Sequence, residues 1–237
     1  MDEMVTKIAN EATIYDIQYT TDQGEYCYET PMSGTTVTTS GIVTAVKPGD
    51  YPNFYLSDPA LNQWGGIYVF DTSVSPALGD ELTLTATVNE YYSMTQLINV
   101  GQYIAESTGN TLPPVTISTG TLGIGCSLSG ESYEGMLVTI SNVTIEDIDE
   151  FGNWTVNDGS GATLVDDYFF DGDWPSGTAG STFDSITGVV EYGYNEFKIL
   201  PRFLTDFSGG DIPDPESVSI FDIQYTAEQG EYCYESA

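Results

Sequence analysis

The residues that could do chemistry in this chain are mostly carboxylates, and their spacing suits cation binding. The sequence has 36 Asp and Glu residues against four Lys and Arg and no His, which gives a formal net charge of −32 at pH 7. Carboxylates with D-x-D spacing occur at Asp147 and Asp149, and again at Asp171 and Asp173. Calcium takes about six to eight oxygen ligands, which loop carboxylates and carbonyls can supply. We expect these to be solvated acidic loops and the chain to have no cofactor, with calcium binding as the alternative.

The lack of histidine removes the usual machinery of covalent and acid–base catalysis. Ser-His and Cys-His arrangements are excluded, and no single carboxylate pair stands out among so many carboxylates. We therefore expect no enzymatic activity. The strong negative charge repels phosphate backbones and anionic membrane surfaces, so the sequence predicts no nucleic-acid partner. No stretch approaches the roughly 20 apolar residues of a membrane helix, and we expect no membrane insertion.

One long segment occurs twice. Ile14–Thr30 reads IYDIQYTTDQGEYCYET and Ile220–Ser236 reads IFDIQYTAEQGEYCYES, with 13 of 17 positions identical. The offset of 206 residues indicates a tandem repeat unit followed by the start of the next unit. A weaker match at an offset of 101 residues, between Val88–Tyr91 and Val189–Tyr192, indicates two related modules within one unit.

These repeats divide the chain into five parts. They are a lead-in at 1–12, modules at 13–111 and 112–207, a linker at 208–219 and the next repeat at 220–237. From Thr13 onward the pattern predicts short strands, with Gly41 as a bulge or bend. Leu82, Leu84, Ala86 and Val88 alternate with polar residues, as in a strand with one buried face.

Several motifs resemble those of a bacterial extracellular OB-fold-like module. They are IYDIQYT at 14–20, TVTTSGIVTAV at 36–46, NFYLSDP at 53–59, GIYVF at 66–70, LGDELTLTATVNEYYSMTQL at 78–97 and ILPR at 199–202. That module recurs in secreted multidomain and surface proteins, often beside extracellular nuclease domains. The resemblance implies an all-β fold, with two OB-fold-like five-stranded barrels per 206-residue repeat. It also implies an extracellular or cell-surface location.

OB folds bind single-stranded nucleic acid by stacking bases on aromatic rings in a positively charged groove. Candidate rings stand on the predicted strands: Phe54, Tyr55, Tyr68, Tyr91, Tyr92, Trp154 and Tyr192. Four basic residues cannot line such a groove, so we expect these aromatics to be core and inter-module contacts.

The cysteines and two asparagines suggest covalent features. Cys233 is the repeat copy of Cys27, so each unit owns two cysteines, and we expect a Cys27–Cys126 disulfide with Cys233 pairing in the next unit. Three reduced core thiols are the alternative. Asn142 and Asn153 begin Asn-x-Thr sequons, which are candidate glycosylation sites and would make glycans candidate partners.

The terminal repeat also suggests self-assembly. The second copy could fill the place of the first in a neighbouring chain, or it could begin the next covalent unit. The residues predicted to carry this contact are Ile220, Ile223, Tyr225, Tyr232 and Cys233. The sequence thus predicts a non-catalytic structural repeat of a secreted or surface-displayed bacterial protein, assembled head to tail into a filament or stalk. The alternative is an accessory module of a secreted hydrolase that binds nucleic acid, glycan or calcium.

Overall fold

Two closed β-barrels, one after the other, make up the part of the chain that the structure describes. The computed structural model describes residues 10–47, 53–71, 73–172 and 174–210. The predicted next repeat, with Ile220, Ile223, Tyr225, Tyr232 and Cys233, lies outside these ranges, as does most of the predicted linker. Within them, no helix has the length and apolar character needed to cross a membrane.

The first barrel is a closed sheet of five strands. In chain order its elements are β1 (Asn10–Glu11), α1 (Ile14–Gln18), β2 (Thr36–Lys47), β3 (Asn53–Ser57), β4 (Gly66–Phe70), β5 (Glu81–Tyr91) and β6 (Met94–Ser107). The strand order is β2-β3-β4-β6-β5, and β5 pairs back with β2 to close the sheet. The β4–β6 pairing is parallel, whereas the other four around the barrel are antiparallel. Leu82, Leu84, Ala86 and Val88 are all buried on β5, which confirms the predicted alternation.

The second barrel repeats this plan. Its elements are β7 (Val115–Thr116), α2 (Thr119–Leu122), α3 (Leu128–Glu131), β8 (Leu137–Ile148), β9 (Trp154–Asn157), β10 (Ala162–Val165), β11 (Thr182–Gly193), β12 (Glu196–Leu200), a 3₁₀ turn (Leu204–Asp206) and β13 (Phe207–Ser208). The order is β8-β9-β10-β12-β11, and β11 pairs back with β8. The β10–β12 pairing is again the parallel one. The predicted pair of five-stranded barrels is therefore confirmed.

The repeated segment begins with a helix, where the sequence pattern had predicted strands. The Asp16 amide donates to Thr13 Oγ1 at 3.1 Å, and the Thr13 amide donates to Asp16 Oδ2 at 2.9 Å. This reciprocal capping box satisfies two amides at the start of α1. Ile14 and Ile17 are fully buried. A Cβ on Gly41 would lie 3.0 Å from Ile14 Cδ1, so this glycine allows α1 to approach β2 closely.

The bulge in β2 also differs from the prediction. The register between β2 and β3 shifts between Val43 and Ala45, so the bulge is at Thr44 and not at Gly41. The bulge serves the contact between the barrels, because the carbonyl of Thr44 accepts a hydrogen bond from Arg202 Nη1 at 2.7 Å. Arg202 is also paired with Asp206, at 2.7 Å.

The two barrels pack against each other through an apolar layer of their own. The layer consists of Ala45, Tyr55, Tyr68, Met94, Leu137, Val189 and Leu200. Backbones meet directly at its edge, where the Trp64 amide donates to the Ser132 carbonyl at 2.6 Å. A Cβ on Gly66 would lie only 2.1 Å from the carbonyl carbon of Gly135. Glycine is therefore required where these two backbone segments of the chain cross.

A disulfide ties the start of the first module to the second barrel. Cys27 and Cys126 are bonded, with their Cα atoms 5.4 Å apart. This is the pairing that the sequence repeat predicted, and it lies within the usual range of Cα separations. Cys27 is 2% exposed and packs in the core of the second barrel, although it precedes the first.

Candidate ligand-binding cleft

A cleft of about 570 Å³ opens where the two barrels meet. Each barrel contributes an equivalent hairpin turn to it, β5 to β6 in the first and β11 to β12 in the second. Tyrosine is the commonest lining residue: Tyr26, Tyr68, Tyr91, Tyr92, Tyr168, Tyr192 and Tyr194. We call the space bounded by these seven residues the tyrosine cleft.

Both turns hold a tyrosine in a backbone conformation that favours other residues. Tyr92 and Ser93 have φ of 52° and 60°, and Tyr194 and Asn195 have φ of 57° and 66°. Two successive positive φ angles are what a type I′ hairpin turn requires, and Asn-Gly is the preferred sequence there. A bulky residue at such an angle costs of order 1 kcal/mol or more, and such strain clusters at functional sites. The sequence therefore places tyrosine at both turns against the local preference.

The rings at the mouth of the cleft are open to solvent. The exposed fraction is 60% for Tyr92 and 91% for Tyr194. Tyr92 lies beside Tyr26, with ring centres 5.4 Å apart, and against Tyr91 at 4.8 Å. Ser93 fixes this group, because its hydroxyl accepts from the Tyr26 amide at 3.2 Å. The first barrel thus presents a contiguous aromatic surface, and Tyr194 projects from the second.

The inner wall of the cleft carries two carboxylates and one ammonium group. Lys198 Nζ lies 2.9 Å from Asp166 Oδ2, and the Tyr55 hydroxyl donates to Glu191 Oε2 at 2.9 Å. Burial lowers the pKa of Lys198, but the hydrogen bond and charge of Asp166, together with the charges of Glu196 and Glu191, raise the pKa above its usual value. Burial raises the pKa of Glu191 against the opposing Tyr55 hydrogen bond. The lining cation is therefore neutralised by its partner.

This arrangement suits noncovalent binding of flat rings. Aromatic faces stack on nucleobases and on the C–H face of sugar rings, and stacking on bases tolerates many sequences. Carboxylates and phenol oxygens at the inner wall can accept hydrogen bonds from amino or hydroxyl groups on the ring edge. A mostly aromatic concave surface with a few convergent polar groups is the usual form of a ligand site.

The structure divides the aromatics that the sequence had assigned to cores and inter-module contacts. Five of them lie in barrel cores or the inter-barrel layer: Phe54, Tyr55, Trp154 and Tyr192 at 2% exposure or less, and Tyr68 at 8%. Tyr91 and Tyr92 are instead on the surface, with exposed fractions of 58% and 60%. Tyr26, Tyr168 and Tyr194 were not among the candidate rings predicted from the sequence. The match of Val189–Tyr192 to the first hairpin was the signal that could have led to Tyr194.

Of the four carboxylates predicted to bind calcium, the structure describes Asp147, Asp149 and Asp171, and these three do not form a group that could hold a metal ion. Asp149 accepts hydrogen bonds of 2.7 to 2.9 Å from Phe151 and Asn153, so its oxygens stabilise the turn between β8 and β9. Asp147 and Asp171 are exposed, and Asp173 lies outside the described residues. Among the residues that the structure describes, no three Asp, Glu, Cys or His side chains could hold a metal ion together.

The two sequon asparagines differ in accessibility. Asn142 is exposed on β8, at a φ of 54°. Asn153 is half-buried, and its side-chain amide donates to Asp149 Oδ2 at 2.7 Å. Glycosylation at either residue stays a prediction, with Asn142 the more accessible of the two.

Comparison with solved structures returns nucleic-acid-related proteins at low similarity. The second OB-fold domain of replication protein A from Methanococcus maripaludis aligns over 34% of this chain and 92% of its own, at 16% identity and a TM-score of 0.27. Fission yeast Pot1, solved with single-stranded DNA, aligns over 73% of this chain and 80% of its own, at 15% identity and a TM-score of 0.31. An aspartyl-tRNA synthetase from Leishmania major aligns over 46% of this chain and only 23% of its own length, at 13% identity and a TM-score of 0.31. No protein-family model and no curated protein matches the sequence.

Both barrels are OB-fold-like. Two expectations from the sequence are wrong in the light of these similarities, which are to nucleic-acid-binding domains and not to filament subunits. One is the self-assembling structural repeat, and the other is the absence of a nucleic-acid partner. Since TM-scores of 0.31 or below describe the strand arrangement alone, the ligand of the cleft has to be argued from its own residues.

Proposed function

We propose that the chain is a non-catalytic ligand-binding module that holds ring-bearing ligands in the tyrosine cleft. The observation that carries this proposal is the pair of equivalent hairpin turns that present Tyr92 and Tyr194 at positive φ beside a shared cleft. A turn selected for stability alone would have Asn or Gly at these positions. Tyrosine there is explained by what its ring contacts.

A secreted or surface-displayed bacterial protein is the setting that we propose for this module. The Cys27–Cys126 disulfide supports an oxidising environment, and the motifs that resemble extracellular OB-fold-like modules agree with it. The copy of Ile14–Thr30 at Ile220–Ser236 further supports a parent with tandem units. Several clefts on one chain would bind a polymer with an avidity above that of a single cleft.

The charge of the cleft predicts an unusual dependence on salt. Ordinary nucleic-acid binding weakens steeply with salt because bound cations are released from phosphates. Here Lys198 is already paired with Asp166 and the whole chain is strongly acidic. Binding of a neutral glycan should be insensitive to salt, and binding of single-stranded DNA should stay constant or strengthen as salt screens the repulsion.

Replacing the turn tyrosines by asparagine should weaken binding without weakening the fold. Asn suits positive φ, so Tyr92→Asn and Tyr194→Asn should unfold at the same denaturant concentration as the wild type or at a higher one. Each loses a stacking ring, which is worth about 1–3 kcal/mol per stacked base. The measurement is the Kd of each variant for short single-stranded DNA and for a panel of soluble oligosaccharides, followed by tyrosine fluorescence.

Tyr103→Asn is the matched control, because Tyr103 is 48% exposed on β6 but does not line the cleft. It should bind like the wild type. Equal Kd values for Tyr194→Asn, Tyr103→Asn and the wild type would contradict the proposal, as would failure of every ligand class to bind.

A further inference from the structure

Three carboxylates, two buried and one half-buried, lie together where the barrels meet, away from the inner wall of the tyrosine cleft. Glu90 lies near the end of β5, Glu131 ends α3, and Glu134 lies in the turn that follows. Glu131 and Glu134 are each 2% exposed, and Glu90 is half-buried. We call Glu90, Glu131 and Glu134 the carboxylate cluster.

The hydrogen bonds of the cluster connect the two barrels. The Thr95 amide of the first barrel donates to Glu134 Oε1 of the second at 2.9 Å, and the Thr95 hydroxyl donates to Glu90 Oε1 at 2.8 Å. The Thr30 amide also donates to Glu90 Oε1, at 2.8 Å. Four oxygens have no hydrogen-bond partner: Glu90 Oε2, Glu131 Oε1, Glu131 Oε2 and Glu134 Oε2. Such buried acceptors are costly as anions, whereas a protonated carboxyl can donate to its neighbour.

The groups that face the cluster supply no positive charge. Gln18 of α1 contacts Glu134, Glu29 lies near Glu90, and Tyr192 of β11 lies near Glu131 and Glu134. The basic residues in the described ranges are engaged elsewhere: Lys47 with Tyr168, Lys198 with Asp166 and Arg202 with Asp206. Within the described chain, the cluster can therefore be neutralised only by protons.

Burial sets the direction of the pKa changes. It raises the pKa of Glu90 to about 7, against hydrogen bonds from Thr30 and Thr95. Burial and the charge of Glu90 raise the pKa of Glu131 to about 8. Burial, with the charges of Glu131 and Glu90, raises the pKa of Glu134 well above its usual value. The folded chain therefore holds protons that the unfolded chain releases near its ordinary value of 4.5.

We propose that the carboxylate cluster is a proton-controlled latch, which holds the barrels together when protonated and lets them separate when it ionises. Loss of the protons leaves like charges buried beside one another at the seam that Thr95 bridges. Separation would also open the tyrosine cleft, because its walls come from both barrels, with Tyr92 on the first and Tyr194 on the second. The latch would thus make ligand affinity depend on pH, and this last step rests on the proposed function.

The sign of the effect follows from the raised pKa values. The stability that the latch contributes is fully present near pH 4.5, the ordinary pKa of a Glu carboxyl. It is lost as the pH rises through the raised pKa values of Glu90, about 7, and Glu131, about 8. Between its ordinary pKa of 4.5 and its raised closed-state pKa, each carboxylate can raise the equilibrium constant for opening by up to about tenfold per pH unit, and the effect levels off above the closed-state pKa.

The test measures the ligand-free protein first, between about pH 5 and pH 9. Hydrogen exchange at the Thr95 amide, corrected for its intrinsic rate, and the thermal midpoint should both show opening as the pH rises. Glu131→Gln and Glu134→Gln keep the shape without the charge, so both should flatten these profiles and raise the midpoint at high pH. Glu106→Gln, an exposed carboxylate on β6, is the control and should behave as the wild type.

Two outcomes would overturn the latch. One is a wild-type profile that the Gln variants do not flatten. The other is a midpoint at high pH that millimolar calcium restores in the wild type alone, which would assign the cluster to a cation. Ligand affinity is then measured at low pH, where the latch is closed. Failure to bind there would contradict the proposed function and leave the result on the latch intact.

Discussion

Reduction of the disulfide between Cys27 and Cys126 should lower the free energy of unfolding by about 4–5 kcal/mol. The bond closes a loop with a sequence separation of 99 residues, and releasing it restores that much freedom to the unfolded chain. Cys27 also packs in the core of the second barrel, so the segment that carries Tyr26 should loosen after reduction.

The measurement is urea unfolding with and without reductant, followed by tryptophan fluorescence. A Cys233→Ser background leaves only the two bonded cysteines. Adding Cys126→Ser to that background gives the control, in which reductant should have no further effect. If reductant leaves the unfolding midpoint of the Cys233→Ser protein unchanged, the disulfide contributes nothing to stability and the prediction fails.

Gly66→Ala should destabilise the protein by about 3 kcal/mol, at the upper end of the cost of overpacking. The new Cβ would lie 2.1 Å from the Gly135 carbonyl carbon and 2.2 Å from the Met136 amide nitrogen. Both neighbours are backbone atoms, so relief requires the barrels to move apart and loosens the bond between Trp64 and Ser132.

Gly101→Ala is the matched control for this substitution. Gly101 also lies in a strand of the first barrel, and the nearest atom to its added Cβ is 4.0 Å away. It should unfold within about 0.5 kcal/mol of the wild type. Equal unfolding midpoints for Gly66→Ala and Gly101→Ala would show that the barrels do not meet as closely as described.

The barrels were predictable because their sequence signals are local or repeated. The alternation of Leu82 to Val88 with polar residues defines a half-buried strand without any knowledge of its partners. The resemblance of the motifs supplied the five-stranded barrel, and the internal repeat indicated that the second module is related to the first. The repeat of Cys27 at Cys233 likewise pointed to Cys126 as the partner within one unit.

The start of the repeated segment was mispredicted although a signal was present. Thr13 and Asp16 form a capping box that marks a helix start, yet α1 is only five residues long. A helix of this length has too few turns to show a 3.6-residue periodicity. Its stability comes from Ile14 and Ile17 packing on the first barrel, which is a tertiary effect.

Neither the tyrosine cleft nor the carboxylate cluster could be predicted from local patterns. Both are assembled from residues far apart in sequence, such as Tyr26 with Tyr192 and Thr95 with Glu134. Among 36 acidic residues, nothing in the sequence distinguishes the few that are buried from the many that are solvated. Burial is decided by how the barrels meet, and that depends on close backbone contacts such as Gly66 with Gly135.

The most direct test of the ligand-binding account is a fluorine NMR titration of protein labelled with fluorotyrosine, with each signal assigned by Tyr→Phe variants. Single-stranded DNA and oligosaccharides would be added in turn at a pH near 6. If the tyrosine cleft binds ligand, at least one ligand class should shift the signals of Tyr26, Tyr92 and Tyr194 while that of Tyr103 stays in place. Shifts confined to tyrosines outside the cleft, or unchanged cleft signals with every ligand, would contradict it.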